Sequence, residues 1–185
     1  MARRNQPRPA PGFECTCRLA TEDDIPVLAI FERELARSAF PEDPILDLAY
    51  HEEKLRRAMR HEPEGMVVEV ATGPAPGSGD EIAGWLWLST RKTLATGERY
   101  GVLRSLYVRN QYRGRGLADD LTRYALRYFA GRGVRKIMAK VHAGNQSAIH
   151  VLRRAGFGPL HLTLEARLQP GEPFTGEIPT DGGPS

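Results

Sequence analysis

Residues 104–133 read RSLYVRNQYRGRGLADDLTRYALRYFAGRG, and the order of features within them decides how the rest of the chain is organised. Leu106-Tyr107-Val108 mixes aliphatic, aromatic and β-branched residues, which favour an extended, half-buried strand. A basic loop follows, Gln111-Tyr112-Arg113-Gly114-Arg115-Gly116, with two glycines one residue apart. Beyond it Leu117, Leu121, Tyr124, Ala125, Tyr128 and Phe129 recur at spacings that put one apolar stripe along a helix. Gly131 and Gly133 close that helix.

Strand, Gly-x-Gly, helix is the local arrangement of an anion site. Without a Cβ, the backbone at Gly114 and Gly116 can approach a ligand closely. The first-turn N–H groups lack intrahelical partners and sit at the positive end of the helix dipole. Arg109, Arg113 and Arg115 add charge, so a pyrophosphate would be stabilised there. A lone Gly-x-Gly has a second reading, a tight turn opening a surface helix. A motif further along decides between the two.

At 185 residues the chain is sized for one domain, burying roughly two thirds of its unfolded surface. Apolar content of 41% and charged content of 26% are those of a soluble globular protein. There is no run of 18 apolar residues, and no apolar segment follows the N-terminal arginines. No membrane partner is expected, and the cytoplasm is the default location. Cys15 and Cys17 lie too close on one strand face for an ordinary disulfide, and no His pair accompanies them at a zinc spacing. They read as structural thiols, and no metal is expected. Charge is unevenly placed. Residues 14–64 hold 13 acids against 7 bases, and residues 104–140 hold 10 bases against 2 acids. A basic centre suits phosphates, although 22 Arg against 4 Lys also admits a plain compositional bias.

Residues 1–12 are Pro-rich and polar and are expected to be a disordered tail, as are residues 169–185. Strands are predicted at about 14–19, 66–70, 82–88, 98–108, 136–141 and 160–168. Helices are predicted at about 21–38, capped by Thr21, Asp23 or Asp24, then at 45–60, from 117, and from Asn145. The run Ile82 to Leu88 is almost wholly apolar, so it is expected to be central with both faces covered, Trp85 and Trp87 lying in the core. Arg104 interrupts a strand, where a charge is costly unless paired or bound to a ligand.

This order resembles the GNAT superfamily of acyl-coenzyme A-dependent N-acyltransferases over residues 13–168. The motifs that carry the resemblance are Q/R-x-x-G-x-G/A, here Gln111, Gly114 and Gly116, and a later Asn with small and apolar residues before Gly-Phe. The second motif is met by Asn145, Ala148, Ile149, Gly156 and Phe157. The resemblance implies a mixed α/β (α+β), mostly antiparallel sheet of about six strands flanked by about four helices. Acetyl-coenzyme A is the implied donor and a small-molecule or peptide amine the acceptor. It implies that the backbone of Leu106, Tyr107 and Val108 bonds the pantetheine and thioester carbonyl. Arg113, Gly114, Arg115, Gly116, Leu117, Ala118 and Asp119 would hold the pyrophosphate, with Gln111 part of the loop, and Asn145 would contact the cofactor.

In that family a neutral amine attacks the thioester directly, which calls for a base, N–H groups on the developing oxyanion and an acid for the thiolate. Many members supply the acid as a Tyr seven residues after the Asn. Here Leu152 stands at that place. Glu98 is the candidate base, with Glu69 and His142 as outsiders. The family's further strand after 160–168 has no evident counterpart, which leaves a shorter sheet or a homodimer covering the edge. Two other readings stand beside this one. The missing Tyr suits a non-catalytic acyl-coenzyme A binder. The Arg-Gly-Arg-Gly loop suits a nucleic-acid module, although no exposed aromatic platform accompanies it and no nucleic acid is expected. The acidic front half predicts a cationic acceptor.

Overall fold

The computed structural model describes residues 14–72, 81–94, 96–161 and 163. The elements are β1 (Glu14–Leu19), α1 (Ile25–Ala39), α2 (Leu48–His61), β2 (Met66–Thr72), β3 (Glu81–Lys92), β4 (Arg99–Val108), α3 (Leu117–Ala130), β5 (Ile137–Ala139) and α4 (Gln146–Arg154). The strands form one sheet in the order β1-β2-β3-β4-β5. The first three pairings are antiparallel and the last, β4 with β5, is parallel. Two parallel neighbours need a crossover connection, and α3 supplies it.

β3 has both faces covered, as its apolar run predicts. Ala83, Leu86 and Leu88 pack with Leu117, Leu121, Ala125 and Phe129 of α3 and Leu152 of α4. Trp85 and Trp87 face the other way, into a second cluster with Ile25, Leu28 and Phe31 of α1 and Leu55 of α2. The sheet thus separates two cores, one under α1 and α2, the other under α3 and α4.

Helix starts follow local chemistry. Before α1 a short turn at Glu22–Asp24 is fixed by Asp24, whose carboxylate accepts from Thr21 N at 2.7 Å and takes both guanidinium branches of Arg18 at 2.7 and 2.8 Å. Pro26 then falls in the first turn, where its missing N–H costs nothing. α2 starts at Leu48 rather than at 45, because the Asp47 side chain accepts from Ala49 N at 2.9 Å and so caps there.

The described sheet has five strands, not about six. Leu160 and His161 have no regular structure, and most of the expected 160–168 strand lies outside the described residues, as do both expected tails. Among the described residues there are four α-helices, the number expected. Among the described residues no helix is long and apolar enough to cross a membrane.

Candidate active site: a glycine cradle beside a parted sheet

β4 carries an irregularity that shapes the candidate site. Trp87 pairs with Ser105 and Leu88 with Leu103, so Arg104 is a bulge residue without a partner on β3. One extra residue reverses which backbone groups face which neighbour. Before the bulge, Gly101 N donates to Lys136 O on the β5 side at 2.8 Å. After it, Arg109 N donates to Ala83 O on the β3 side at 2.9 Å. By alternation the N–H and C=O of Leu106 and Val108 point away from β3. The ladder to β5 covers only Gly101, Val102 and Leu103, so the two strands are parted along Leu106-Tyr107-Val108. Arg104, which reads as a buried charge in the sequence, is exposed, and its guanidinium lies 4.6 Å from the centre of the Trp87 ring.

The glycine loop continues from the parted end. Gly114 and Gly116 have φ of 74° and 88°, in the left-handed region that favours glycine. A Cβ built on either meets nothing within 4 Å, so both open onto free space. Gly116 is the N-cap of α3 and brings no capping side chain. Its carbonyl takes Asp119 N and Asp120 N at 3.0 Å each, and the N–H groups of Leu117 and Ala118 precede those first helical bonds. The Arg113 Nε donates to Val108 O at 3.0 Å, tying the loop to the parted strand.

Glu81, at the start of β3, pins the loop. Its carboxylate accepts from Tyr112 Oη at 2.8 Å, from Gln111 Nε2 at 3.1 Å and from Arg109 Nη1. Gln111 thus serves the loop's shape in this structure. Asp119 would repel a phosphate, but its carboxylate accepts from Arg154 Nη2 at 2.5 and 2.6 Å, which neutralises it and joins α3 to α4. Asn145 caps α4, its Oδ1 accepting from Ala148 N at 3.1 Å. The structure therefore brings Leu106, Tyr107, Val108, Arg113, Gly114, Arg115, Gly116, Leu117, Ala118 and Asp119 into one run. Neither Glu81 nor the bulge had a signal in the sequence. A lone Glu after a Gly-Pro loop and an Arg in a strand are both ordinary.

Glu98 is not part of that run. It precedes β4 at the end where β4 and β5 are paired, exposed, and accepts from Lys136 Nζ at 2.8 Å. Leu106 lies eight residues away, about 26 Å along an extended strand. His142 follows β5 and is exposed, its Nδ1 accepting from Gly144 N at 3.1 Å. Leu152 is 7% exposed and packs in the α3 core. Leu152→Ala is expected to cost about 2–5 kcal/mol of stability, read by urea unfolding, without a specific loss of turnover.

Glu69 sits on the α3 side of β2 at 3% exposure, its Oε2 without a hydrogen-bond partner among the described residues. Burial, and secondly the Asp120 carboxylate, push it up to about 7. Burial and Glu69 in turn push the unbridged Cys15 thiol up to about 12, so it stays protonated. A carboxyl that binds its proton more tightly when folded stabilises the fold while protonated. That contribution is complete below its ordinary 4.5 and is lost as pH rises through about 7. Glu69→Gln should therefore flatten the fall in Tm between pH 5 and pH 8. An unchanged slope would contradict the burial argument. Among the described residues no group of three or more His, Cys, Asp or Glu is placed to hold a metal ion.

Comparison with known proteins agrees with this geometry. Over 82 residues the chain is 34% identical to the mycothiol acetyltransferase of Corynebacterium glutamicum, covering 43% of this chain and 25% of that protein. The chain thus spans about a quarter of the length of the curated relatives it matches. A putative acetyl transferase from Pyrococcus furiosus superposes with a TM-score of 0.60 at 23% identity, covering 84% of this chain and 100% of that one. A chain of the NatC complex bound to Gag peptide and CoA superposes with a TM-score of 0.61 at 18% identity, covering 80% and 87%. These likenesses establish the shared fold. The sequence profile of the Acetyltransferase (GNAT) family matches residues 29–157, the span from α1 through the parted strand and glycine loop to the end of α4. With more than half of its length matched, the chain belongs to the GNAT acetyltransferase family.

Proposed function

We propose that the protein transfers an acetyl group from acetyl-coenzyme A to a primary amine. The observation that carries this reading is the continuity of the parted β4 backbone with the open glycine cradle. A ligand with a long polar arm and a pyrophosphate fits that path. The mycothiol acetyltransferase relatives support acetyl as the acyl group.

On this reading the N–H groups of Gly114, Gly116, Leu117 and Ala118 hold the pyrophosphate, with Arg113 and Arg115 adding charge. The outward backbone of Leu106 and Val108 pairs with the pantetheine amides as a missing strand would. One outward N–H faces the thioester carbonyl and stabilises the oxyanion that develops there. Asn145 Nδ2 remains for the donor, since only its Oδ1 is spent on the cap.

The amine nitrogen attacks the thioester carbon, a C–N bond forms and the C–S bond breaks. The proton lost by nitrogen ends on the coenzyme A sulfur, so no other reactant is consumed. Glu98 is ion-paired and far along the strand, and Leu152 has no proton to give. The amine is therefore expected to enter neutral, with water carrying the proton, and kcat/KM should rise with pH until the amine is deprotonated.

The test is calorimetric titration of acetyl-coenzyme A, followed by thiol release with an amine panel. Absence of binding would reject the reading. Binding without turnover of any amine would favour a non-catalytic acyl-coenzyme A protein, which the buried Leu152 suits.

A further inference from the structure

On the sheet face away from α3, a cleft of about 330 Å3 opens between α2 and strands β3 and β4. Its walls carry Lys54 and Arg57 from α2, Arg91 from β3 and the bulge residue Arg104 from β4. The one acid among the lining residues, Glu62, accepts from Thr90 N at 2.8 Å. Lys54 is neutralised by Glu32 at 3.0 Å, but Arg57, Arg91 and Arg104 form no ion pair among the described residues. Partial desolvation of its inner side, and then the like charge of Arg91, push the Arg104 guanidinium below its ordinary value, against the smaller opposing pull of Glu32 and Glu62. Like charges gathered at one opening repel, and a counter-charge between them relieves that repulsion.

A second observation points the same way. Ser89 lines this cleft at 5% exposure, and its Oγ has no hydrogen-bond partner among the described residues. Buried hydroxyls are almost always bonded, so one left open in a cleft is a place for a ligand atom.

The acidic front half of the sequence predicts a cationic acceptor, and the pairing of the helix acids weakens the ground for that expectation. Glu34 is paired with Arg37, Glu52 with Arg56, Glu53 with Arg60 and Glu32 with Lys54, so the helix acids are largely spent within their own layer. The cleft itself is lined by four Lys or Arg side chains against the single acid Glu62.

We propose that the cleft holds an oxyanion of the acceptor, so that the substrate is a primary amine bearing a carboxylate or a phosphate. Arg57 and Arg104 supply planar forks suited to such groups, and Ser89 supplies a hydroxyl. Arg104 lies two residues before Leu106, about 7 Å along the strand, so an amine anchored here reaches the parted segment of β4. The catalytic part of this proposal rests on the acetyltransferase reading. The binding part does not, and the experiment separates them.

The probes are two matched pairs, glycylglycine with glycylglycinamide and 2-aminoethyl phosphate with ethanolamine, titrated by calorimetry without coenzyme A. The member that carries the oxyanion should, in at least one pair, bind about tenfold or more tightly than the partner that lacks it, with the margin shrinking as salt rises. Whichever pair shows the larger margin identifies carboxylate or phosphate. Arg57→Gln and Arg104→Gln should each remove about tenfold of that affinity. Ser89→Ala should weaken binding while leaving Tm unchanged, a result that a purely structural serine would not give. Equal binding within both pairs, or undiminished binding in both arginine variants, would overturn the proposal. If the pairs discriminate but acetyl-coenzyme A fails to bind, the donor assignment falls and the anion cleft stands.

Discussion

Gly116→Val is expected to lose coenzyme A binding by at least about 100-fold while the protein stays folded. The positive φ of 88° makes any side chain there strained, and a β-branched one costs about 1–2 kcal/mol. The strain is affordable for the fold, because the new Cβ meets no atom within 4 Å. The loss falls on the ligand. The valine methyls would occupy the space in front of the first N–H groups of α3, where phosphate oxygens are proposed to sit. Two charge-assisted hydrogen bonds at about 1.5–3 kcal/mol each account for the expected factor. Gly114→Val, with φ of 74° and equally open space, should behave alike. The Ala variants separate strain from obstruction, since they share the dihedral problem but add only a methyl. Calorimetric titration with coenzyme A beside a melting curve reads both quantities. Normal affinity in both Val variants would remove the cradle from the donor site.

Trp85→Ala should be the most damaging single truncation for stability, at about 4–6 kcal/mol. The indole is fully buried between the sheet and α1, the largest side chain so enclosed. Its Nε1 donates to Glu32 Oε1 at 2.9 Å, and Glu32, 4% exposed, otherwise relies on Lys54. Alanine removes the ring's contacts and also leaves a buried carboxylate short of a donor. For a chain of 185 residues the loss corresponds to a fall in Tm of roughly 10–20 °C. Trp85→Phe keeps most of the volume and isolates the hydrogen bond, at about 1–3 kcal/mol. A Trp85→Ala loss below about 2 kcal/mol in urea unfolding would mean the site collapses around the deletion.

The parts of this molecule that were legible in the sequence are those built from neighbours along the chain. Gly114, Gly116 and the stripe from Leu117 to Phe129 declare a loop and a helix start within twenty residues. Asn145 declares a cap by its own chemistry. The bulge at Arg104 was not legible, because it exists only in the register between β3 and β4, and neither strand carries that register alone. The basic cleft was hidden for a related reason. Arg57, Arg91 and Arg104 are dispersed in sequence, while a count along the chain sums the acids of α1 and α2 without showing the bases they pair with. Helical spacing lets those acids find bases three, four or seven residues away. Glu98 reads in the sequence as a neighbour of the parted strand, and only the extent of the β4–β5 ladder reveals that it precedes the paired end.

The unpaired residue in β4 sets a rule about register rather than about residue type. With Arg104 set aside, Gly101 to Leu103 and Ser105 to Val108 keep one regular alternation against β3. Taking Arg104 into the ladder would move every later pairing by one, and each backbone group from Ser105 to Val108 would exchange sides. The amides now turned outward would turn inward, and the segment would present its other set to the opening. Replacing Arg104 by another residue leaves that count intact. The strand is thus metered like a reading frame, with one letter skipped so that the rest keep their phase.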